Sequence, residues 1–172
     1  INIQETKEKV QRWFGEIRKG SEVAALKPMP VKLDQVKSFY FEDNFARLPE
    51  LRMIFPTVEN YNADMYALNI LGELLSGSRK SPLYKIIVEE KKQAPTVNSA
   101  QSSDELAGEF VFRVRANAGT SLEGIKTSIE EGLLRFEKDG FTDSELQRIK
   151  AEQETSLYQG LSTVLNKAFT LA

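Results

Sequence analysis

Residues Glu109–Ala116 alternate more cleanly than any other stretch of the chain. Phe110, Phe112, Val114 and Ala116 fall on one face of an extended strand, and Val111, Arg113 and Arg115 on the other. A strand with one apolar and one charged face is half-buried. That suits an antiparallel sheet with a single covered side, whereas strands of a doubly wound parallel sheet are apolar on both. Strand-like and helix-like periods are interspersed along the rest of the chain. The expected fold class is therefore α+β, a mainly antiparallel sheet with helices packed on one face.

The neighbouring elements are read in the same way. Leu51–Phe55 is a second strand, with Leu51, Met53 and Phe55 on one face, Arg52 on the other, and Pro49 and Pro56 bounding it. Asn62 is placed to cap a helix carrying the stripe Ala67, Leu68, Ile70, Leu71, Leu74 and Leu75. Ser76-Gly77-Ser78 stops that helix, with Gly77 in the left-handed conformation. Ser81 then caps another, with Pro82 in its first position. Leu83, Ile86 and Ile87 point inward from it, while Lys85, Glu89, Glu90, Lys91 and Lys92 stay wet. Ala94–Gln101 is expected to be extended and Ser102–Gly108 to form a polar turn. After the alternating strand, Thr120 with Glu123 forms a capping box for a helix bearing Leu122, Ile125, Ile129, Leu133 and Phe136, which Gly140 ends. Thr142 with Glu145 repeats the box and opens a last helix through Leu146, Ile149, Leu157, Leu161, Leu165 and Phe169, completing an αα-hairpin.

Towards the N-terminus, Ile1–Ile3 are β-prone and lead into a helical period over Glu5–Ile17 that carries Val10, Trp13, Phe14 and Ile17. Gly20–Val36, with Pro28 and Pro30, is expected to be an extended linker. Lys37–Glu42 is expected to form a strand and Asp43-Asn44 a turn.

Composition removes several classes of chemistry. The chain has no His and no Cys, so a zinc site of the usual kind, a disulfide, a Cys nucleophile and a His general base are all out of reach. Its 23 Lys and Arg against 25 Asp and Glu give a net charge of −2, which makes no electrostatic case for nucleic acid. No apolar run is long enough to span a bilayer as a helix. With 172 residues, 41% of them apolar, the chain can bury the core of one ordinary domain, with room for an appended piece.

Other candidates are weaker. Gly72–Ser81 (GELLSGSRKS) has the outline of a phosphate loop, but Ser78 stands where Lys is required. Glu89-Glu90 and Glu130-Glu131 are adjacent carboxylates that diverge on a helix and suit a solvated face. Ser156 and Tyr158 have no partner base in view. Arg113 and Arg115 suit a cross-strand salt bridge, or contact with a peptide carboxylate or an adjoining domain.

The order LPELRMIFPT, a long helix, LLSGSRKSPLYKIIVEEKKQAPTVNS, the strand GEFVFRVRANAG, a helix and DGFTDSELQRIKAE resembles the pitrilysin/insulinase family of zinc peptidases. Within that family it is similar to the half-domain that does not hold the metal. The resemblance covers nearly the whole chain and rests on the order of several motifs. It implies that residues 1–19 are the strand–helix tail of a preceding domain, 20–36 a linker, and 37–172 a non-catalytic domain cut within its last helix. The alternative for the first helix is that it packs on its own domain. Zinc would belong to the parent protein, bound by another domain through an inverted His-x-x-Glu-His motif absent here. The implied partners are other domains of that parent and its peptide substrate, and bacterial members suggest the periplasm or cell envelope. Active members also carry, on the metal-free half, an Arg followed seven residues later by a Tyr, which help hold substrate. Laid on this chain those positions are Val88 and Pro95, which offer no side-chain donor; Arg79 and Tyr84 lie before the expected place and at the wrong spacing. The resemblance thus implies a domain that supplies chamber wall and interdomain surface, or alternatively a non-proteolytic scaffold or assembly module of the same fold.

Overall fold

The alternating stretch forms β3 (Gly108–Arg115), the middle strand of a three-stranded antiparallel sheet in a computed structural model that describes residues 2–171. β1 (Glu50–Thr57) and β2 (Asn98–Ser103) lie on either side, in the order β1-β3-β2. The register places Leu51 opposite Val114, Met53 opposite Phe112 and Ser99 opposite the far side of Phe112. One face of the sheet is therefore apolar. Phe110, Phe112, Val114 and Ala116 are buried on it, as their alternation predicts.

Helices close over that face alone. α2 (Ala63–Ser76), capped by Asn62, packs on β2 and delivers Leu75 to the core. α3 (Pro82–Tyr84) runs on into a π-helical turn, Lys85–Glu90, and together they bury Leu83, Ile86 and Ile87 completely. α4 (Leu122–Asp139) adds Ile125 and Ile129. α5 (Asp143–Gly160) contributes the buried Ile149, and its capping box is formed, with Thr142 Oγ1 accepting from the Glu145 N–H and the Glu145 carboxylate accepting from the Thr142 N–H. Between α4 and α5, Gly140 takes φ +66°, which a Cβ would strain. The α+β class, with helices on one side, is the one the alternation implies.

Several expectations need correction. Lys37–Glu42 forms no strand: Phe39, Tyr40 and Phe41 are all exposed, and β-propensity without a pairing edge or a burial face leaves the backbone merely extended. Pro56 does not bound β1 but sits inside it, as a strand at the sheet's border permits, because an outward-facing position needs no N–H. Gly77 ends α2 in the right-handed region, φ −72°. Ser81 is the N-cap residue of the next helix with Pro82 at its start, as expected, but its hydroxyl serves the Ser78 N–H and the Glu73 carbonyl instead of its own helix. Ser121, not Thr120, caps α4; Gly119 at φ +78° turns the chain, the Thr120 N–H is taken by the Asn117 carbonyl, and the extended cap conformation falls one residue later. β2 runs on to Ser103, so the turn is shorter than Ser102–Gly108 and is closed by the Asp104 N–H on the Ala107 carbonyl.

The ends of the chain depart most. Helix α1 (Ile3–Phe14) begins where a β-prone start was expected, since Asn2 Oδ1 accepts from the Gln4 and Glu5 N–H groups; Ile1 itself lies outside the described residues. It buries no residue, and every side chain from 2 to 47 is exposed. The last helix is two. α5 stops at Gly160, Thr163 Oγ1 accepts from the Asn166 N–H, and α6 (Val164–Leu171) follows with Leu165 and Phe169 exposed. Among the described residues no helix is long and apolar enough to cross a membrane.

Candidate functional site

Antiparallel pairing gives the uncovered face of the sheet its one dense group of charges. Alternation turns Arg52, Arg113 and Arg115 outward, and the β1–β3 register sets Arg52 opposite Arg113 and Glu50 opposite Arg115. All three guanidiniums converge on the Glu50 carboxylate. Arg113 grips it with two atoms, Nε on Oε1 at 3.0 Å and Nη2 on Oε2 at 3.0 Å. Arg52 Nε donates to Oε1 at 2.8 Å and Arg115 Nη2 to Oε2 at 3.4 Å. The arginines stay roughly half exposed while Glu50 is mostly covered by them. Beside the cluster on the same face lie Ile54, Val111 and Ala100, a small apolar strip.

This geometry fixes the acid behaviour of Glu50. The hydrogen bond from Arg113, and next that from Arg52, lower its pKa from an ordinary 4.5 to about 2. A carboxyl whose folded pKa is depressed stabilises the fold above its unfolded pKa and loses that contribution as pH falls through the folded one. Glu50→Gln is therefore expected to be less stable than the parent chain at neutral pH, where Arg52 would face Arg113 unscreened. The difference should shrink between pH 4.5 and about 2. Urea unfolding midpoints across that range check this, and two parallel pH profiles would contradict it.

The positions matched to the Arg–Tyr pair lie elsewhere. Val88 sits in the π-helical turn, half-buried against the core, and Pro95 is exposed in the segment before β2. The turn is held open by the Lys91 N–H bonding to the Ile86 carbonyl, five residues back. Lys91 Nζ reaches Ser128 Oγ at 3.1 Å and Glu131 at 2.6 Å, so this cation is occupied in tying the turn to α4. Between the two positions, Gln93 Oε1 is buried without a hydrogen-bond partner among the described residues. Arg79 is exposed, Tyr84 packs on the core, and no phenol or guanidinium is supplied at Val88 or Pro95.

The remaining candidates resolve into structure. Gly72 is the point where α2 meets β2, and Ser81 is tied into the bend after α2, so Gly72–Ser81 forms no phosphate cradle. Glu90 and Glu131 share Arg135, with Glu90 held below its usual range by that guanidinium; Glu89 and Glu130 face solvent. Ser156 and Tyr158 are exposed on α5. Sequence reasoning found Arg113 and Arg115 and put Arg52 outward, but missed Glu50. The partnership spans 63 and 65 residues, and only strand register reveals it.

The donor set does not fit zinc. Imidazole and thiolate are absent from the chain, and among the described residues no three acidic groups gather as metal ligands. The family model for the peptidase M16 inactive domain matches residues 1–153. The chain belongs to this family. That agrees with the resemblance to pitrilysin- and insulinase-type peptidases read from motif order. As an M16 inactive domain it is similar to the uncharacterized zinc protease YmxG of Bacillus subtilis (strain 168), 28% identical over 162 residues, which cover 92% of this chain and 37% of that protein. Its fold matches that of a protease from Helicobacter pylori with a TM-score of 0.75 at 19% identity, over 98% of this chain and 41% of the other. A peptidase M16 inactive domain from Pseudomonas fluorescens superposes with a TM-score of 0.54 at 20% identity, over 61% of this chain and 26% of that one. The M16 inactive domain described here thus spans well under half the length of these relatives.

Proposed function

We propose that this chain is the metal-free wall of a chamber in which a zinc peptidase hydrolyses peptides. In this reading zinc is bound by another domain of the same parent, residues 1–19 belong to a preceding domain, 20–36 link the two, and the domain proper starts at 37. The observation that carries it is the membership of an inactive peptidase domain family by a chain without a single imidazole or thiol. The name of the Bacillus relative as a zinc protease supports a zinc-dependent parent. The apolar side of α1, with Val10, Trp13 and Phe14 exposed, supports a neighbour that covers it.

The purified chain is expected to retain no stoichiometric zinc after dialysis and to cleave no peptide. Mixed with the separately expressed metal-bearing domain of the parent, it should raise peptide hydrolysis above that of the metal domain alone. Emission spectrometry and a quenched fluorescent peptide measure the two. Tight zinc uptake or cleavage by the chain alone would overturn the proposal. Association without any gain in hydrolysis would move the assignment to a scaffold module.

A further inference from the structure

We propose that the outer face of the sheet binds acidic peptide, with Arg52 and Arg115 as its free-handed cations. This rests on the chamber reading above, and names the class of peptide the wall receives. Arg113 meets both oxygens of Glu50, through a hydrogen bond from Nη2 and an ion-pair contact from Nε, each at 3.0 Å. Arg52 holds Glu50 through Nε alone and Arg115 reaches it only at 3.4 Å, so each keeps most of its N–H groups for another partner. Each is more than half exposed, and Arg52 stands directly across from Arg113, where like charges work against strand pairing.

The cluster therefore carries three positive charges against one negative on the outward face, where the only other charge on the paired strands is the exposed Glu109 at the far end of the strip. Each guanidinium has five N–H donors, and Glu50 accepts one hydrogen bond from each of Arg52, Arg113 and Arg115. The rest point to solvent or to a second anion. Ile54 and Val111, one register step along the same face, offer an apolar contact beside the charge. A peptide with carboxylates next to an aliphatic residue matches both features. A basic peptide is repelled.

Fluorescence anisotropy with two labelled peptides tests this on the whole chain. One carries Asp and Glu around a central Leu, and the other the Asn and Gln isosteres. The acidic peptide is expected to bind about tenfold tighter at low salt, a preference that falls as salt screens it. Arg52→Gln and Arg115→Gln should each reduce the preference about threefold. Lys138→Gln, the same charge change at an exposed site on α4, should leave it unchanged. Glu50→Gln gives the sharpest sign. It removes the competing carboxylate and should tighten acidic binding, whereas a merely structural role for the cluster would weaken it. Equal binding of the two peptides, an equal effect of Lys138→Gln, or stronger binding of a single-stranded oligonucleotide would overturn the proposal. Those outcomes leave the chamber reading standing, since it depends on the zinc and complementation measurements.

Discussion

Replacing Phe112 by Ala is expected to remove about 3–5 kcal/mol of stability, the range for deleting a large buried aromatic ring. Phe112 is 3% exposed in the middle strand, so both neighbouring strands are fixed by β3 and cannot collapse into the space. Its ring meets Phe55 edge-on at 5.9 Å and Phe110 at 5.3 Å, and both contacts vanish with it. Chemical denaturation followed by circular dichroism gives the difference directly. A loss below about 1 kcal/mol, as at ordinary surface sites, would show that the ring is not part of the cooperative core.

Gly72→Ala is a contest between two effects, and the contact should win. Alanine favours a helix interior over glycine by about 1 kcal/mol. Yet a Cβ at this position meets the Ser99 carbonyl oxygen at 2.8 Å and the Ala100 Cα at 3.4 Å, both of them backbone atoms of β2. Separating α2 from β2 to admit the methyl stretches the bonds from Ser99 Oγ to the Gly72 carbonyl, 2.9 Å, and from the Ser99 N–H to Ser76 Oγ, 2.8 Å. Ser99 is buried, so these groups find no water when parted. A net loss of about 1–2 kcal/mol is expected, since overpacking typically costs 1–3. A rise in Tm on thermal unfolding would mean that α2 slides freely over the sheet.

What could be read from the residues follows from which signals are local. The faces of β3, the inward set Leu83, Ile86 and Ile87, and the stripe of α4 are written in the spacing of neighbouring residues, and each packs as spaced. The absence of metal ligands is legible without any fold at all. Cap positions were read correctly at Asn62 and Thr142 but slipped by one at Ser121, because the preceding turn at Gly119, not the box pattern, decided where the helix could start. Lys37–Glu42 had strand propensity without a neighbour, and α6 had a helical stripe without a core. The Glu50 cluster was illegible for a different reason. Neither β1 nor β3 encodes which of its residues will stand opposite the other, so a carboxylate at one strand's start and two arginines at the other's end look unrelated until they are paired.

Pro56 has a consequence beyond its own strand. Eight residues of β1 present an outer edge with no neighbouring strand among the described residues, the kind of surface on which identical molecules polymerise. Two copies meeting there would find no N–H at Pro56 and would press one arginine-rich face beside another. A missing proton and a surplus of charge thus both work against such pairing, from opposite ends of the same ribbon.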